Sequence, residues 1–544
     1  METDLNSQSS PTEATEPLVL ESWKLLFAET PPVRGRELFA VLLLVGLSDL
    51  TIYRGEGYAG LAMLFAVAPL LMAWGSCSEK RSRGGWLLRG MLLGIAAKAL
   101  WCGSWLLVCC GFTGIVAFAM TLVNRTPFVL SVLAFAAQTI ASGARGLNRF
   151  CESAHTNVRP MKHSSAMPVL MPLAAFGLFG SLFVLANPDL VSIFSHRIHN
   201  WLELVNELLS QFSFWEVPFC VAAAWFVVGL LRPGPTDSSG EWDSGSRASN
   251  EVTSVPAPLY SAYRNTLLTV IGLFVAYLGY EFQTLWFREF PKGFHYSGYA
   301  HEGAAWLTFA LGLATVMLSL IFRGDVLRDE RLPKLKKLAW IWSALNLFLA
   351  VAVYHRLCIY VGFNGMTRMR IVGFFGMTSV VAGFGLVLWK IAYNRDFVWL
   401  FRRQLWVLAG AIYLFSLTPV DALWVRYNVN RILAGDPAPS VQISVHPIDS
   451  EGMLALHRSL LDCDDELIRE GVRAMMALTE QQAEAAHRAR AMQTSWGQIT
   501  SRHLADEMLL SGLRANRERW SKYTDHSQRQ AAWERFRLYA YQWY

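Results

Sequence analysis

The sequence predicts an all-α protein, in which a polytopic bundle of about eleven transmembrane helices is followed by a soluble α-helical C-terminal domain. Two observations predict this architecture. Between Leu38 and Asp421 the chain is a series of apolar runs, each long enough to cross a bilayer, for which about 20 residues suffice. Charged residues make up only 17% of the chain, against about 25% in a soluble protein, and the deficit lies before residue 422.

Each predicted span is one apolar run. The spans cover 38–53, 57–75, 96–123, 127–143, 166–186, 213–231, 265–286, 303–322, 337–355, 371–392 and 404–421. The stretch 86–101 also fits an interfacial helix or a separate crossing, so the count around 86–123 stays open.

The loops between the spans alternate in their Lys and Arg content. Segments 76–90, 144–165, 232–264, 323–337 and 390–403 carry 21 of these residues, whereas 54–56, 124–126, 187–212, 287–302 and 356–370 carry 8. By the positive-inside rule the first set is cytoplasmic. The N-terminus is then predicted inside, and an odd number of spans puts the segment after Asp421 outside.

Composition also predicts the division into domains. Residues 1–36 are rich in Ser, Thr, Glu and Pro and are expected to form a disordered cytoplasmic tail, without the basic start of a cleavable signal peptide. A Pro/Gly/Ser-rich cytoplasmic linker over 232–263 separates a first transmembrane half (37–231) from a second (264–434). Within the first half, 190–212 has the spacing of an amphipathic helix lying along the outer interface.

Three polar segments are predicted to lie together at the outer ends of spans. Their candidate residues are Glu281, Tyr299 and Glu302 in the first, Arg356, Tyr360, Thr367, Arg368 and Arg370 in the second, and Asp421, Arg426 and Asn428 in the third. Charged groups at membrane depth persist where they pair or line a cavity. Two interpretations follow: a structural network that fixes the last five spans, or a site whose arginines bind an anionic lipid head group or small ligand.

Other chemistry has little support. The eight cysteines are scattered without a Cys-x-x-Cys pair, and His196 and His199 have no third ligand nearby, so no metal and no cofactor is predicted. Nucleophile, metalloprotease and phosphate-binding motifs are absent, so catalytic residues are unknown and the sequence leaves open whether the protein is an enzyme. No basic or aromatic pattern indicates nucleic-acid binding. Lys98 is interpreted as snorkelling or facing the bundle interior.

Residues 435–544 have the composition of a soluble helical domain. Ile468, Val472, Met475 and Met476 form a stripe at helical spacing, as do Leu509, Leu510 and Leu513. The stretch 452–477 resembles one unit of a HEAT-type repeat, with an acidic turn between two helices, although one hairpin in an ordinary helical domain explains it as well. The aromatic and basic stretch 533–544 is expected either to pack back on this domain or to return to the membrane interface.

The three polar segments also resemble those of a known family. The relevant stretches are Tyr299–Leu307, Tyr354–Arg370, which contains Arg356-Leu357-Cys358-Ile359-Tyr360 and Gly365-Met366-Thr367-Arg368, and Thr418–Arg431. They are similar to segments of bacterial multipass membrane proteins catalogued only as a domain of unknown function, the four-one-seven-three group related to four-one-five-three. Asn364 stands where that family has Tyr, and Met366 where it has Leu. The resemblance implies the membrane architecture and a bacterial cytoplasmic (inner) membrane, but brings no activity.

Two classes of function remain at this stage. The first is a non-enzymatic sensor, scaffold or assembly factor, in which the bilayer-embedded region anchors a helical domain that binds a protein partner through 435–544. The second is a transporter or membrane-embedded transferase acting on an anionic or lipid-linked substrate at an extracytoplasmic vestibule. The absence of catalytic motifs favours the first.

Overall fold

The computed structural model describes residues 34–76, 83–157, 213–233, 259–286, 296–322, 326, 329–393, 395 and 397–543. Side chains are described within these ranges except at residues 149–157, 284–286, 296–305 and 458–459. This part of the chain is all-helical and contains no strand, as predicted. Most of the predicted tail and linker, and the predicted interfacial stretch 190–212, lie outside the described residues.

The first group of helices surrounds one apolar core. It comprises α1 (Gly35–Ser48, continued by a π-helical turn over Asp49–Tyr53), α2 (Tyr58–Gly75), α3 (Arg83–Trp101), α4 (Trp105–Leu122), α5 (Val129–Asn157) and α6 (Glu216–Leu231). The core forms because α2, α4 and α6 are apolar nearly all round, and Phe65 and Phe118 at its centre are fully buried.

Helix α4 runs parallel to α2, and two glycines allow the close contact. A Cβ at Gly103 would lie 2.0 Å from the ring of Tyr58, and one at Gly111 would lie 2.3 Å from the ring of Phe65. Between α2 and α4 the chain therefore returns in the opposite direction along α3. The predicted span 96–123 is wrong, because the helix is broken at residues 102–104. A consequence is that 124–126 lies at the end of the bundle opposite to 54–56, not at the same end.

The second group comprises α7 (Tyr260–Trp286), α8 (Tyr296–Ile321), α9 (Leu332–Asn364) and α10 (Arg368–Tyr393). Its core includes Leu318, Leu335, Trp342 and Val387, which are buried between these helices.

Helix α11 (Phe397–Leu417) joins the two groups. Phe415 packs edge-on against Phe375 of α10, with 5.4 Å between ring centroids. On the other side Tyr413 Oη donates a hydrogen bond to the carbonyl of Met91 at 3.1 Å, and Trp406 Nε1 to that of Pro127 at 3.2 Å. The two halves of the membrane region are therefore held together by side chains of one helix.

Five of the described helices, α2, α4, α7, α9 and α10, are long and apolar enough to cross a membrane. A sixth span results if α11 and α12 (Val420–Leu433), which meet at a 64° bend, are counted together. The bend follows Thr418-Pro419, since proline cannot donate the hydrogen bond that would continue the helix. Large side chains such as Leu273 and Phe348 are 64% exposed on these helices, as expected where a bilayer surrounds them. The protein is therefore a membrane protein, and the count of eleven stays a prediction.

The last group comprises α12, α13 (Ser440–Val445), α14 (Ser450–Ser459), α15 (Glu466–Ala491), α16 (Ser495–Thr500), α17 (Leu504–Ala515), a 3₁₀ segment (Arg517–Thr524) and α18 (His526–Tyr541). Of the first predicted stripe, Ile468, Val472 and Met476 are buried and Met475 is partly buried against the core. Leu509, Leu510 and Leu513 of the second stripe are all buried.

Local capping and packing explain two features of this group. Asp465 Oδ1 accepts hydrogen bonds from the amides of Leu467 and Ile468, so the acidic turn caps α15. Phe536 of α18 is fully buried, so the aromatic C-terminal stretch packs back on these helices.

Helices α13 to α18 pack on one end of the membrane bundle, called here the domain end. Trp496 Nε1 donates to the carbonyl of Leu50 at 2.6 Å, and Thr500 Oγ1 accepts from the amide of Glu56 at 3.1 Å. At the end of α9, Asn364 Nδ2 donates to the carbonyl of Trp543 at 3.2 Å. The ends of α1 and α9 thus meet the C-terminal helices on the same side of the bundle.

Candidate functional site

Glu281 and Arg356 form a buried ion pair between α7 and α9. Arg356 donates from Nε to Oε1 at 2.5 Å and from Nη2 to Oε2 at 2.6 Å, and Tyr277 Oη donates to Oε2 at 3.0 Å. The exposed fractions are 1% for Glu281 and 6% for Arg356. The forked geometry satisfies both carboxylate oxygens, which a charge buried at this depth requires.

Asp421 and Arg368 form a second ion pair at the domain end. Arg368 donates to the carboxylate from Nε at 2.9 Å and from Nη2 at 2.5 Å. The same carboxylate accepts from Trp424 Nε1 and from the amide of Asp449, each at 3.0 Å. Asp421 is 1% exposed and uses its acceptor capacity on four donors. It therefore fastens α10 and α12 to the segment that leads into α14.

Asn428 holds the tight connection between α9 and α10. Its Oδ1 accepts from the amide of Met366 at 2.7 Å and its Nδ2 donates to the Met366 carbonyl at 2.8 Å. Gly365 has φ +85°, and a Cβ there would lie 2.5 Å from Asn428 Oδ1. Glycine is required at this position on both counts. Thr367 Oγ1 accepts from the amide of Arg370 and supports the first turn of α10.

Two arginines serve the C-terminal end of α9. Arg370 is buried, stacks 3.7 Å from the ring centroid of Tyr360 and donates to the carbonyl of Gly365. Arg431 donates to the carbonyls of Val361 and Gly362 at 2.9 and 2.6 Å. The Val361 carbonyl also accepts from the Gly365 amide, whereas Gly362 and Gly365 lie in the last turn, where a helix leaves carbonyls unpaired. The arginines therefore act as caps.

The predicted site residues are thus largely engaged with each other and with the main chain. Arg426 is exposed on α12. Tyr299 and Glu302 lie on α8, and their side chains are outside the described ones. The structure brings Asp421, Asn428 and residues 365–370 together at the domain end, while Glu281 and Arg356 pair within the second group of helices.

Comparison with known proteins identifies the family. The model of a domain of unknown function (DUF4153) matches residues 38–450, which is most of the chain. The chain belongs to the DUF4153 family. The family resemblance predicted from the polar segments is confirmed, and the group that matches is the related four-one-five-three group. No curated protein and no solved structure gave a significant match.

The DUF4153 match ends at a polar cluster that the sequence did not reveal. Lys98 Nζ donates to a carboxylate oxygen of Glu451, and both side chains are largely buried. The thiol of Cys102 and carboxylate oxygens of Asp449 and Glu451 lie within 4.8 Å of one another. These atoms are close enough to share a metal ion, but the Lys98 ammonium competes for Glu451. The pairing joins α3 to α14 across more than 350 residues, and no local motif signals it.

Burial determines the protonation of this cluster. It raises the pKa of Asp449 to about 6, with a further increase from the charges of Asp421 and Glu451. Burial also raises the pKa of the Cys102 thiol to about 12, with the nearby acids contributing. The cluster therefore binds a proton on Asp449 at a mildly acidic pH, and the thiol stays protonated.

The Asp449 pKa predicts a pH dependence of stability. Between pH 4 and pH 6 the folded protein keeps a proton that the unfolded chain has released, so this stabilisation is full below about pH 4 and is lost as pH rises through 6. Asn at 449 keeps the side-chain oxygen that caps Gly452 but carries no charge. We expect Asp449→Asn to raise stability at pH 8 by roughly 1 kcal/mol, after discounting for partial exposure, and to remove this decline in thermal melts between pH 4 and 8.

Asp506 provides the matched control. Although burial raises its pKa, hydrogen bonds from His503 and Ser450 and the charges of His503 and Arg490 lower it to about 2. Its contribution is present above pH 4 and is lost only as pH falls through 2. Asp506→Asn is therefore expected to destabilise the protein at pH 8. Equal and same-sign effects of the two substitutions would contradict the assignment of the pH dependence to Asp449.

Proposed function

We propose that this DUF4153 protein is a non-enzymatic membrane scaffold or assembly factor, in which the spans hold a helical interaction domain in a fixed orientation. The observation that carries the proposal is that the polar residues at the domain end are engaged in fastening the C-terminal helices. Asp421 alone receives hydrogen bonds from α10, from α12 and from the segment before α14. In a site for an anionic substrate, arginine side chains would instead be available to bind the substrate.

The apolar packing supports the same proposal. One continuous core contains Ile371 of α10 and Trp424 of α12 together with Leu456, Val472 and Phe536 of the later helices. Burying such side chains contributes about 1.5–3 kcal/mol each relative to exposure. A domain attached by a shared core moves with its spans, as an anchor or a signal-transmitting connection requires.

We propose further that residues 435–544 form a soluble domain on the extracytoplasmic face of a bacterial inner membrane. The support is that segments 54–56 and 356–370, which are poor in Lys and Arg, lie at the domain end, and that α15 carries many charged side chains. The N-terminus is then cytoplasmic, because α1 begins at the opposite end of the bundle and reaches the domain end at its C-terminus.

A crosslinking experiment in intact cells tests the scaffold. A photo-reactive amino acid is placed at Met492, 86% exposed, and at Leu538, 77% exposed, in a strain that lacks the native protein. We expect a covalent adduct of one defined mass with a second protein from at least one position. The matched control is Phe348, which is 64% exposed on α9 and should give no such adduct. A protein that restores the deletion phenotype without any protein adduct at either position contradicts the proposal.

A further inference from the structure

An apolar cavity lies in the first group of helices, away from the residues described above. Its volume is about 170 Å³, and its walls come from α1, α2, α4 and α6. Ser48 is the one polar residue among its fourteen lining residues. A cavity of about 150 Å³ with such walls stays dry and takes up small apolar molecules. The apolar walls therefore favour a hydrocarbon as the bound group.

The extent and the opening of the cavity indicate which apolar molecule it binds. Its lining on α6 extends from Phe219 to Leu230, a distance of about 16 Å at the helical rise of 1.5 Å per residue. The lining therefore extends along a length that an extended hydrocarbon chain can follow. Ile52, Phe112 and Phe226 of the lining are 38%, 37% and 39% exposed, so the cavity is reached from the bilayer side of the helices.

A charged cluster lies at one end of the cavity. Arg54 Nε lies 3.2 Å from Asp49 Oδ2 and donates to Glu216 Oε1 at 2.8 Å. Asp49 and Glu216 stand directly beside the lining: Asp49 follows Ser48, and Glu216 is one helical turn before Phe219. The π-helical turn, a local geometry often found at functional sites, begins at Asp49.

The formal charges of this cluster do not balance. Among the residues that the structure describes, two carboxylates, of which Glu216 is only 2% exposed, face one guanidinium, which leaves a formal charge of −1. An anionic head group would be repelled, whereas an ammonium group would be attracted and hydrogen-bonded.

We propose that this cavity binds one hydrocarbon chain of an amine-bearing zwitterionic phospholipid, with the ammonium group directed to Asp49 and Glu216. The cavity shares no lining residue with the scaffold contacts, although its charged cluster lies beside the contacts that Leu50 and Glu56 make with the C-terminal helices. The proposal does not rest on the scaffold function. It gives the first half of the protein a lipid-binding role that the proposed function does not require.

Labelling with photo-reactive lipids tests the proposal. The purified protein is placed in vesicles that contain phosphatidylethanolamine with a diazirine in the chain, and the labelled peptides are measured by mass spectrometry. Ala223→Phe and Ala68→Leu each fill part of the cavity and should lower labelling of α1 and α6 at least fivefold. Val221→Phe is the matched control, because Val221 is 55% exposed on α6 and does not line the cavity.

A second labelling experiment tests the preference for the lipid head group. Asp49→Asn removes the excess negative charge, so the preference for the ethanolamine lipid over a phosphatidylglycerol carrying the same diazirine should disappear while chain labelling persists. Gel filtration and thermal melts establish which cavity variants are folded. Unchanged labelling in a folded cavity variant overturns the proposal, as does labelling that favours phosphatidylglycerol in the native protein. If both cavity variants lost much stability while labelling stayed the same, side chains of the protein itself would fill the cavity. That result would also overturn the lipid proposal.

Discussion

Replacing Arg356 by alanine is expected to destabilise the protein by about 3–5 kcal/mol, because the substitution leaves the Glu281 carboxylate buried without its partner. The carboxylate is 1% exposed and would lose both hydrogen bonds from Arg356 while keeping the one from Tyr277. Thermal unfolding of the detergent-solubilised protein measures the effect, which should appear as a clear drop in the melting temperature.

The matched control is Arg426→Ala. Arg426 belongs to the same predicted set of polar residues but is exposed, so its loss should change stability by no more than about 0.5 kcal/mol. The double variant with Glu281→Ala should be less destabilised than the sum of the two single variants, since the two side chains contact each other. An unchanged melting temperature for Arg356→Ala, together with loss of complementation in a deletion strain, would show that Arg356 serves a ligand instead.

The sequence could predict where the polar residues lie, but not how they pair. Hydropathy marks the end of each span, and the loop charges indicate which ends share a side, so Arg356 and Asp421 were expected near the same face. Arg356 pairs with Glu281, 75 residues earlier, whereas Asp421 pairs with Arg368. Which carboxylate an arginine meets depends on helix rotation and packing, and one sequence does not encode these in a local pattern.

The prediction and the structure differ at two further places, one at a glycine and one at the change in composition. The span predicted over 96–123 is interrupted at residues 102–104, where Gly103 packs on Tyr58, because an apolar stretch looks the same whether it crosses once or turns back. The change in composition at residue 435 is genuine, but Trp424 and Val429 of α12 already belong to the core of the C-terminal helices. Apolar residues that pack on a neighbouring helix and those that face lipid have the same hydropathy, so composition alone does not show where the packing changes.

Asp421→Ala is expected to loosen the C-terminal helices more than the spans, with a loss of about 2–4 kcal/mol in global stability. The substitution removes the acceptor of Trp424 Nε1, which is buried, and of the Asp449 amide. A buried donor left without a partner costs about 1–3 kcal/mol, and the Arg368 guanidinium loses its counter-charge at the same time. Asp421→Asn keeps one oxygen and should be intermediate.

Hydrogen exchange followed by mass spectrometry separates this local effect from general unfolding. In Asp421→Ala, amides in residues 440–543 should exchange faster by at least tenfold, while those of α9 keep their protection. Asp462→Ala is the control, because Asp462 pairs with Arg519 at the surface with its side chain 73% exposed, and such pairs contribute little. Equal acceleration in α9 and in residues 440–543 would mean that Asp421 stabilises the whole molecule. The attachment of the domain would then depend on the shared core around Trp424, and scaffold function should tolerate loss of the ion pair but not loss of that core.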